Sequence, residues 1–243
     1  MSTVLRGAFV LLPILLTLAC VSPGDHKLPL LEAGAASPPI VAGGAYYREG
    51  YVIPLNTFGN NHGSSLVELD DGKIFITWFA GEQEGSSDTR IFGTMFDLKS
   101  GIYTTPTVVV ERQSPVKGNI LTDKTIGNTA LYKDTNGKLW LFYTAVPFGG
   151  WALALVRYTI SPDGGKSWSH SETFIGQPGT LVRTKPIYVG SNIFLVPAYT
   201  ELLIRKGYTC TVTHNETRTF TRNCGTSMER GGAIQPAIVQ MKD

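Results

Sequence analysis

Ser161-Pro162-Asp163-Gly164-Gly165-Lys166-Ser167-Trp168 lies between two runs of β-forming residues, and its reading decides the fold. Asp163 offers carboxylate oxygens to the amides of a turn, Gly164 and Gly165 tolerate positive φ, and Trp168 supplies a large apolar ring that can fold back as a plug. The stretch therefore predicts a tight turn closing a hairpin. An ordinary Asp-Gly β-turn accounts for Asp163-Gly164-Gly165 alone. The weight rests on the whole spacing, Ser-x-Asp-x-Gly-x-x-Trp.

A turn of this kind should recur if it belongs to a repeat. Thr213 to Phe220 keeps a hydroxyl, a side-chain acceptor in Asn215 and an aromatic, with Thr217 in the glycine position. Asp97 to Tyr103, around Gly101, is a looser copy one residue off register. The acceptors at 97, 163 and 215 are 66 and 52 residues apart, against roughly 40–50 for four-stranded repeats without insertions. That spacing supports a propeller.

From Tyr46 onward short Val, Ile, Phe, Tyr and Trp runs alternate with Gly, Asn and Asp turns, with no sustained helical period. The pattern predicts an all-β chain. A first set of strands is expected at Ser64–Leu69, Lys73–Ala80, Arg90–Phe96 and Pro106–Glu111, and a second at Thr129–Lys133, Lys138–Ala145, Ala152–Ile160 and Ser171–Ile175. A third set is expected at Lys185–Val189, Ile193–Tyr199, Tyr208–Thr213 and Phe220–Asn223, and Ala233–Met241 should begin a fourth. The expected architecture is about three blades plus one strand, a partial propeller whose open edges would favour pairing or aggregation.

Residues 1–19 carry Arg6 and a 12-residue apolar run from Ala8 to Ala19, shorter than the about 20 residues that span a bilayer. They read as a secretory signal peptide. Leu18-Ala19-Cys20 resembles a bacterial lipoprotein cleavage site with Cys20 as the lipidated residue, although Thr17 stands where leucine is usual; cleavage near Ala19 without lipidation is the alternative. Residues 20–45, rich in Pro, Gly and Ala, suit a flexible tether, leaving 46–243 for the propeller. The expected location is the bacterial cell envelope, at the outer membrane or cell surface, or else the secreted fraction.

With Cys20 assigned to a lipid, Cys210 and Cys224 remain. In an oxidising compartment they form either a disulfide, worth about 3 kcal/mol by loop closure, or two free thiols. The four histidines form no metal-ligand cluster, and no cofactor is expected. A formal charge of +2, falling to +1 without residues 1–19, predicts no nucleic-acid partner.

The Ser161–Trp168 spacing resembles the Asp-box of sialidase-type propellers. Five further motifs occur with it in order: Asn60-Asn61-His62-Gly63-Ser64-Ser65; Trp78 to Gly85 followed by Asp88; Gly149-Gly150-Trp151; Pro197-Ala198-Tyr199-Thr200-Glu201; and Ile234-Gln235-Pro236. Together they resemble the bacterial BNR-repeat, sialidase-like family, which implies a six-bladed all-β propeller and a glycan partner. Sialidases bind the substrate carboxylate with three arginines and use an aspartic acid/base and a tyrosine nucleophile polarised by glutamate. By that resemblance Asp88 falls at the acid/base position, His62 at the first arginine, and Gln235 at the polarising glutamate.

By that resemblance Asp88 is the first catalytic candidate, and the tyrosine nucleophile and the other two arginines are expected beyond residue 243. The residues themselves add His62 and the pair Tyr199 and Glu201, whose side chains share one face at the end of an inner strand, as catalytic candidates, with Glu82, Glu84, Trp151, Lys185 and Gln235 lining the substrate site. Glu82, Glu84 and Asp88 on one loop are expected to raise one another's pKa toward acid catalysis. Each has a plainer reading: His62 as a hydrogen-bonded strand residue, the three acids as a solvated loop. Trp78 and Trp140, inside apolar strands, are expected in the core, and Trp151 after two glycines is the better sugar-stacking ring. The expected activity is hydrolysis of terminal acidic sugars, incomplete in the isolated chain. The alternatives are a non-catalytic glycan-binding or assembly propeller and, behind it, a lyase with His62 as base.

Overall fold

A computed structural model of the chain describes residues 40–42, 45–47, 51–53, 58–112, 122–202, 205–214, 220–227, 232 and 234–241. The expected signal peptide, Cys20, most of the tether and the body of the Thr213–Phe220 turn lie outside the described residues. Strands β1 (Ile40–Ala42) and β2 (Ala45–Tyr47) pair antiparallel. A strand therefore falls inside the stretch expected to be a tether.

Three antiparallel sheets follow, each a meander in sequence order. The first has β3 (Asn60–Glu68), β4 (Lys73–Gly81) and β5 (Arg90–Asp97), with β6 (Ile102–Tyr103) and β7 (Thr107–Glu111) both paired to β5. The second has β8 (Thr125–Lys133), β9 (Leu139–Val146), β10 (Leu155–Ser161) and β11 (Glu172–Ile175). In the third, β12 (Thr180–Val182) and β13 (Ile187–Gly190) share the inner position on β14 (Ile193–Thr200), followed by β15 (Lys206–His214) and β16 (Phe220–Ser227).

The sheets pack face to face as blades. Phe75, Phe79 and Ile91 of the first meet Leu131, Leu141 and Tyr143 of the second. On the other face of the second sheet, Tyr132, Trp140, Phe142 and Tyr158 meet Phe194, Val196 and Val212 of the third. β9 is covered on both faces, so Leu139 to Val146 is buried throughout and reads as a continuous apolar run. Each such large side chain contributes about 1.5–3 kcal/mol of burial. Trp78 and Trp140 are in the core at 5% and 2% exposure.

The turn around Asp163 forms as its residues require. Asp163 accepts from the amides of Lys166 (3.1 Å) and Ser167 (2.9 Å), and Ser161 Oγ accepts from the Gly165 amide (2.8 Å). Gly164 and Gly165 take φ of 72° and 96°. Cys210 and Cys224 stand directly opposite on β15 and β16 and are joined by a disulfide. Inside the second blade, Arg157 forks onto Asp123 at 3.0 and 2.7 Å, both side chains nearly fully buried.

Two expected strands need correction. Ala152 belongs to a 3₁₀ turn, Trp151–Leu153, and the strand begins at Leu155, because Gly149 and Gly150 admit a sharp reversal first. Residues 234–241 form no strand: a strand exists by pairing, and none of the described residues pairs with them.

Candidate functional site

All three inner strands are interrupted toward the same end. On β3 the three steps from His62 to Ser65 oppose two on β4, so one residue is extra, and Gly63 takes a φ of 61°. On β8 Asn128 is the extra residue, with a φ of 37°. In the third blade the chain between Val182 and Ile187 bulges away from β14. Thr129 donates to the Gly63 carbonyl (2.6 Å), and the Leu131 amide donates to Ser65 Oγ (2.9 Å), which holds the two bulges side by side. Bulges of this kind re-aim side chains, and here they aim them at the common end of the inner strands.

Tyr199 is the centre of what gathers there. It stands one residue before the end of β14, is 1% exposed, and packs with Val146, Ala154, Leu181 and Trp151. Its hydroxyl is hydrogen-bonded to the side chains of Gln235 and Asn128. Burial first, then the charge of Glu201, push the phenol up to about 12, while those two hydrogen bonds and the Arg183 charge pull the other way. Tyr199 therefore stays protonated at neutral pH and acts as a hydrogen-bonding group. Gln235 reaches it from a positive-φ backbone of 54°, and Thr184 Oγ1 is hydrogen-bonded to the next carbonyl, that of Pro236.

His62 and Asp88 lie on the first-blade side. His62 is exposed, stacks on Phe79 with ring centroids 5.7 Å apart, and lines a cleft of about 220 Å³ with Asn61, Trp78 and Ile53. Asp88 sits on the β4–β5 loop, accepts from the Glu82 amide (2.9 Å) and is hydrogen-bonded to the Ser86 hydroxyl. Asn60 Nδ2 donates to the Glu82 carbonyl (2.8 Å), tying that loop to β3. The Ser86 and Glu82 hydrogen bonds hold Asp88 below the usual carboxylate range. The expected mutual raising of the loop acids is thus reversed at Asp88: donors reach it, while Glu82 and Glu84 are exposed to water.

Trp151 is half-buried, its ring edge against Gly127, where an added Cβ would come within 2.8 Å. It packs under the Tyr199 cluster as support. Lys185 is not with the others. It lines a separate cleft of about 840 Å³ with Leu69, Lys133 and Tyr188, because the chain between β12 and β13 has by then crossed toward the turn end of the sheets. Sequence reading missed Asn128 and Arg183. The expected strand begins at Thr129, four residues after β8 does and just past Asn128, and Arg183 precedes the expected start at Lys185. The Gly127-Asn128 pair beside an apolar run was the available signal for a bulge.

Three face-packed antiparallel blades with a polar cluster at one end of their inner strands define a partial β-propeller of the sialidase type. A family model described as BNR repeat-like domain matches residues 72–243, and the chain belongs to that sialidase-like family. The fold is similar to the Hadza microbial sialidase Hz136 (TM-score 0.59, 12% identity, 72% of this chain and 39% of that one). It is also similar to Trypanosoma rangeli sialidase (0.58, 11%, 91% and 38%) and to NanB sialidase from Streptococcus pneumoniae (0.54, 9%, 70% and 45%). The chain thus spans roughly two fifths of the length of these sialidases. No curated protein matches the sequence.

Proposed function

We propose that the protein is a sialidase-like glycoside hydrolase acting on terminal acidic sugars of glycans, with its site where the inner strands converge. The observation that carries this reading is the cluster of Tyr199, Asn128 and Gln235 at that end, flanked by Glu201 and, on the first-blade side, by His62 and the Asp88 loop. Neutral amide and phenol groups there can bond sugar hydroxyls without opposing an anionic substrate. In this reading Asp88 is the acid/base. It rests as an anion, and an arriving carboxylate, by adding like charge, would raise its pKa toward a proton-carrying state. Gln235 bonds and orients and carries no proton.

The test is turnover of 4-methylumbelliferyl α-sialoside and of the matching glucuronide by the complete protein and by Asp88→Asn. Loss of turnover with an unchanged melting curve is expected. Unchanged turnover in the variant would remove Asp88 from the mechanism. Two points favour a second reading, a non-catalytic glycan-binding propeller: Asp88 is tied into its own loop, and by the family resemblance Gln235 stands where a glutamate would polarise the tyrosine. Glycan binding without release of sugar from any substrate would decide for it.

We also propose export and membrane attachment through a lipid on Cys20. Release of the Cys20→Ser protein from the membrane fraction is the expected result, and its retention there would refute the anchor.

A further inference from the structure

At the turn end of the three blades, away from the Tyr199 cluster, lies a cleft of about 840 Å³ that takes no part in the proposed hydrolysis. Each blade supplies a wall. Glu68 and Asp70 come from the end of β3 and its turn, Tyr132 and Lys133 end β8, and Lys185 and Tyr188 belong to the third blade. Two lysines stand against two acids, so the lining is balanced in charge. Lys133 is paired with Asp70, whereas Glu68 and Lys185 are exposed and form no ion pair among the described residues. Tyr132 is buried and stacks on Phe194 with ring centroids 4.5 Å apart. Tyr188 stands opposite that same Phe194 in the ladder and is 43% exposed, so a largely open ring is carried on a fixed backbone.

The donors and acceptors of this lining select a ligand class. A carboxylate only accepts, an ammonium only donates and a phenol does both. An anion would meet Glu68 and Asp70, a cation would meet Lys133 and Lys185, and a wholly apolar ligand would strip water from charges that it could not bond. An uncharged polyol with an apolar C–H face satisfies all of them: its hydroxyls bond Glu68 and Lys185, and its C–H face lies on the Tyr188 ring.

We infer that this cleft is a second carbohydrate site, taking a neutral oligosaccharide and separate from the site at the other end of the inner strands. Its volume falls within the roughly 300–1,000 Å³ of small-ligand clefts. The site stands independently of the hydrolase reading, whose own test is turnover in Asp88→Asn.

The test titrates the full chain with N-acetyllactosamine by calorimetry, for the native protein, Tyr188→Ala and Lys185→Gln. Affinity should fall on the order of tenfold or more in Tyr188→Ala, which removes the platform. It should fall about threefold in the exposed Lys185→Gln, which loses one hydrogen-bonding partner. Repeating the native titration in saturating N-acetylneuraminic acid should leave the affinity unchanged. Affinity that survives in both variants, or that is lost to N-acetylneuraminic acid, puts the disaccharide at the other end of the strands; it overturns the second site and leaves the hydrolase reading standing. Native protein that does not bind N-acetyllactosamine, or that binds its 6-sulfate more tightly, overturns the assignment of a neutral ligand. A melting temperature for each variant confirms that folded protein is being compared, and if Tyr188→Ala does not fold, Lys185→Gln decides.

Discussion

The outer turns of the first and second blades meet the same demand with different residues. Behind each is the same clasp. Thr94 donates to the Thr104 carbonyl (2.6 Å) while the Met95 amide donates to Thr104 Oγ1 (2.9 Å); Thr159 donates to the Ser169 carbonyl (2.7 Å) while the Ile160 amide donates to Ser169 Oγ (3.1 Å). The two clasps are 65 residues apart at both ends, whereas Asp97 and Asp163 are 66 apart. Inside the clasp the turns diverge. Asp97 accepts from the Lys99 and Ser100 amides, and Tyr103 packs against Phe96 of its own sheet with ring centroids 4.5 Å apart. Asp163 also takes the Ser167 hydroxyl (2.6 Å), and Trp168 reaches across to Phe75 of the first blade at 5.8 Å. One turn closes its own hairpin; the other also fastens two blades together.

The largest way to break that asymmetry is at the second blade's buried ion pair. Arg157→Ala strands the Asp123 carboxylate and should cost roughly 3–5 kcal/mol, read by urea denaturation, while Arg157→Met with Asp123→Leu should recover most of it. The next is Gly165→Ala. Its Cβ would meet the Phe75 ring at 2.5 Å on a φ of 96°, so strain and overlap together should cost roughly 2–4 kcal/mol. Gly101→Ala, on a φ of 70°, should lose about 1–2 kcal/mol through backbone strain. The smallest effect is at the aspartates, whose exposed charges are screened. Asp163→Ala should cost about 1 kcal/mol, as a lost cap does, and Asp97→Ala less.

Acid sharpens the same contrast. The Ser167 hydroxyl and amide bonds push Asp163 down to about 2 from the usual 3.8. Its contribution is therefore complete above that usual value and is lost as pH falls toward about 2. Asp97 is lowered too, chiefly by the Ser100 amide. Stability measured across that acid range should flatten more in Asp163→Ala than in Asp97→Ala; equal flattening would mean the extra Ser167 bonds carry no weight.

The Ser161–Trp168 turn was legible because its causes are local: one acceptor, two glycines and one ring within eight residues. The Asp97 copy was visible only as an imperfect interval, since its repeat lies in the backbone clasp and Thr104 stands for Ser169. Inner strands were read too short at their upper ends because Asn60–Gly63 and Gly127–Asn128 are turn-like residues: Gly63 and Asn128 keep positive φ in bulges, while the residues beside them are held in the ladder by β4 and β9. The candidate site was legible by single positions and illegible as a group. Nothing local says that Asn128 and Arg183, far apart in the chain, come near Tyr199, or that Lys185, two residues past Arg183, lines a cleft elsewhere.

The interrupted inner strands separate two kinds of inheritance. Past an extra residue the in-out alternation of a strand starts afresh. Below the bulges, substitutions answer to the core between blades. Above the β3 bulge, His62 can be exchanged without shifting the register of Val67, whereas Asn128, the extra residue of the β8 bulge, holds a φ of 37° that few other side chains accept. A lineage with this architecture can change what the mouth of the propeller recognises while passing on the blades intact.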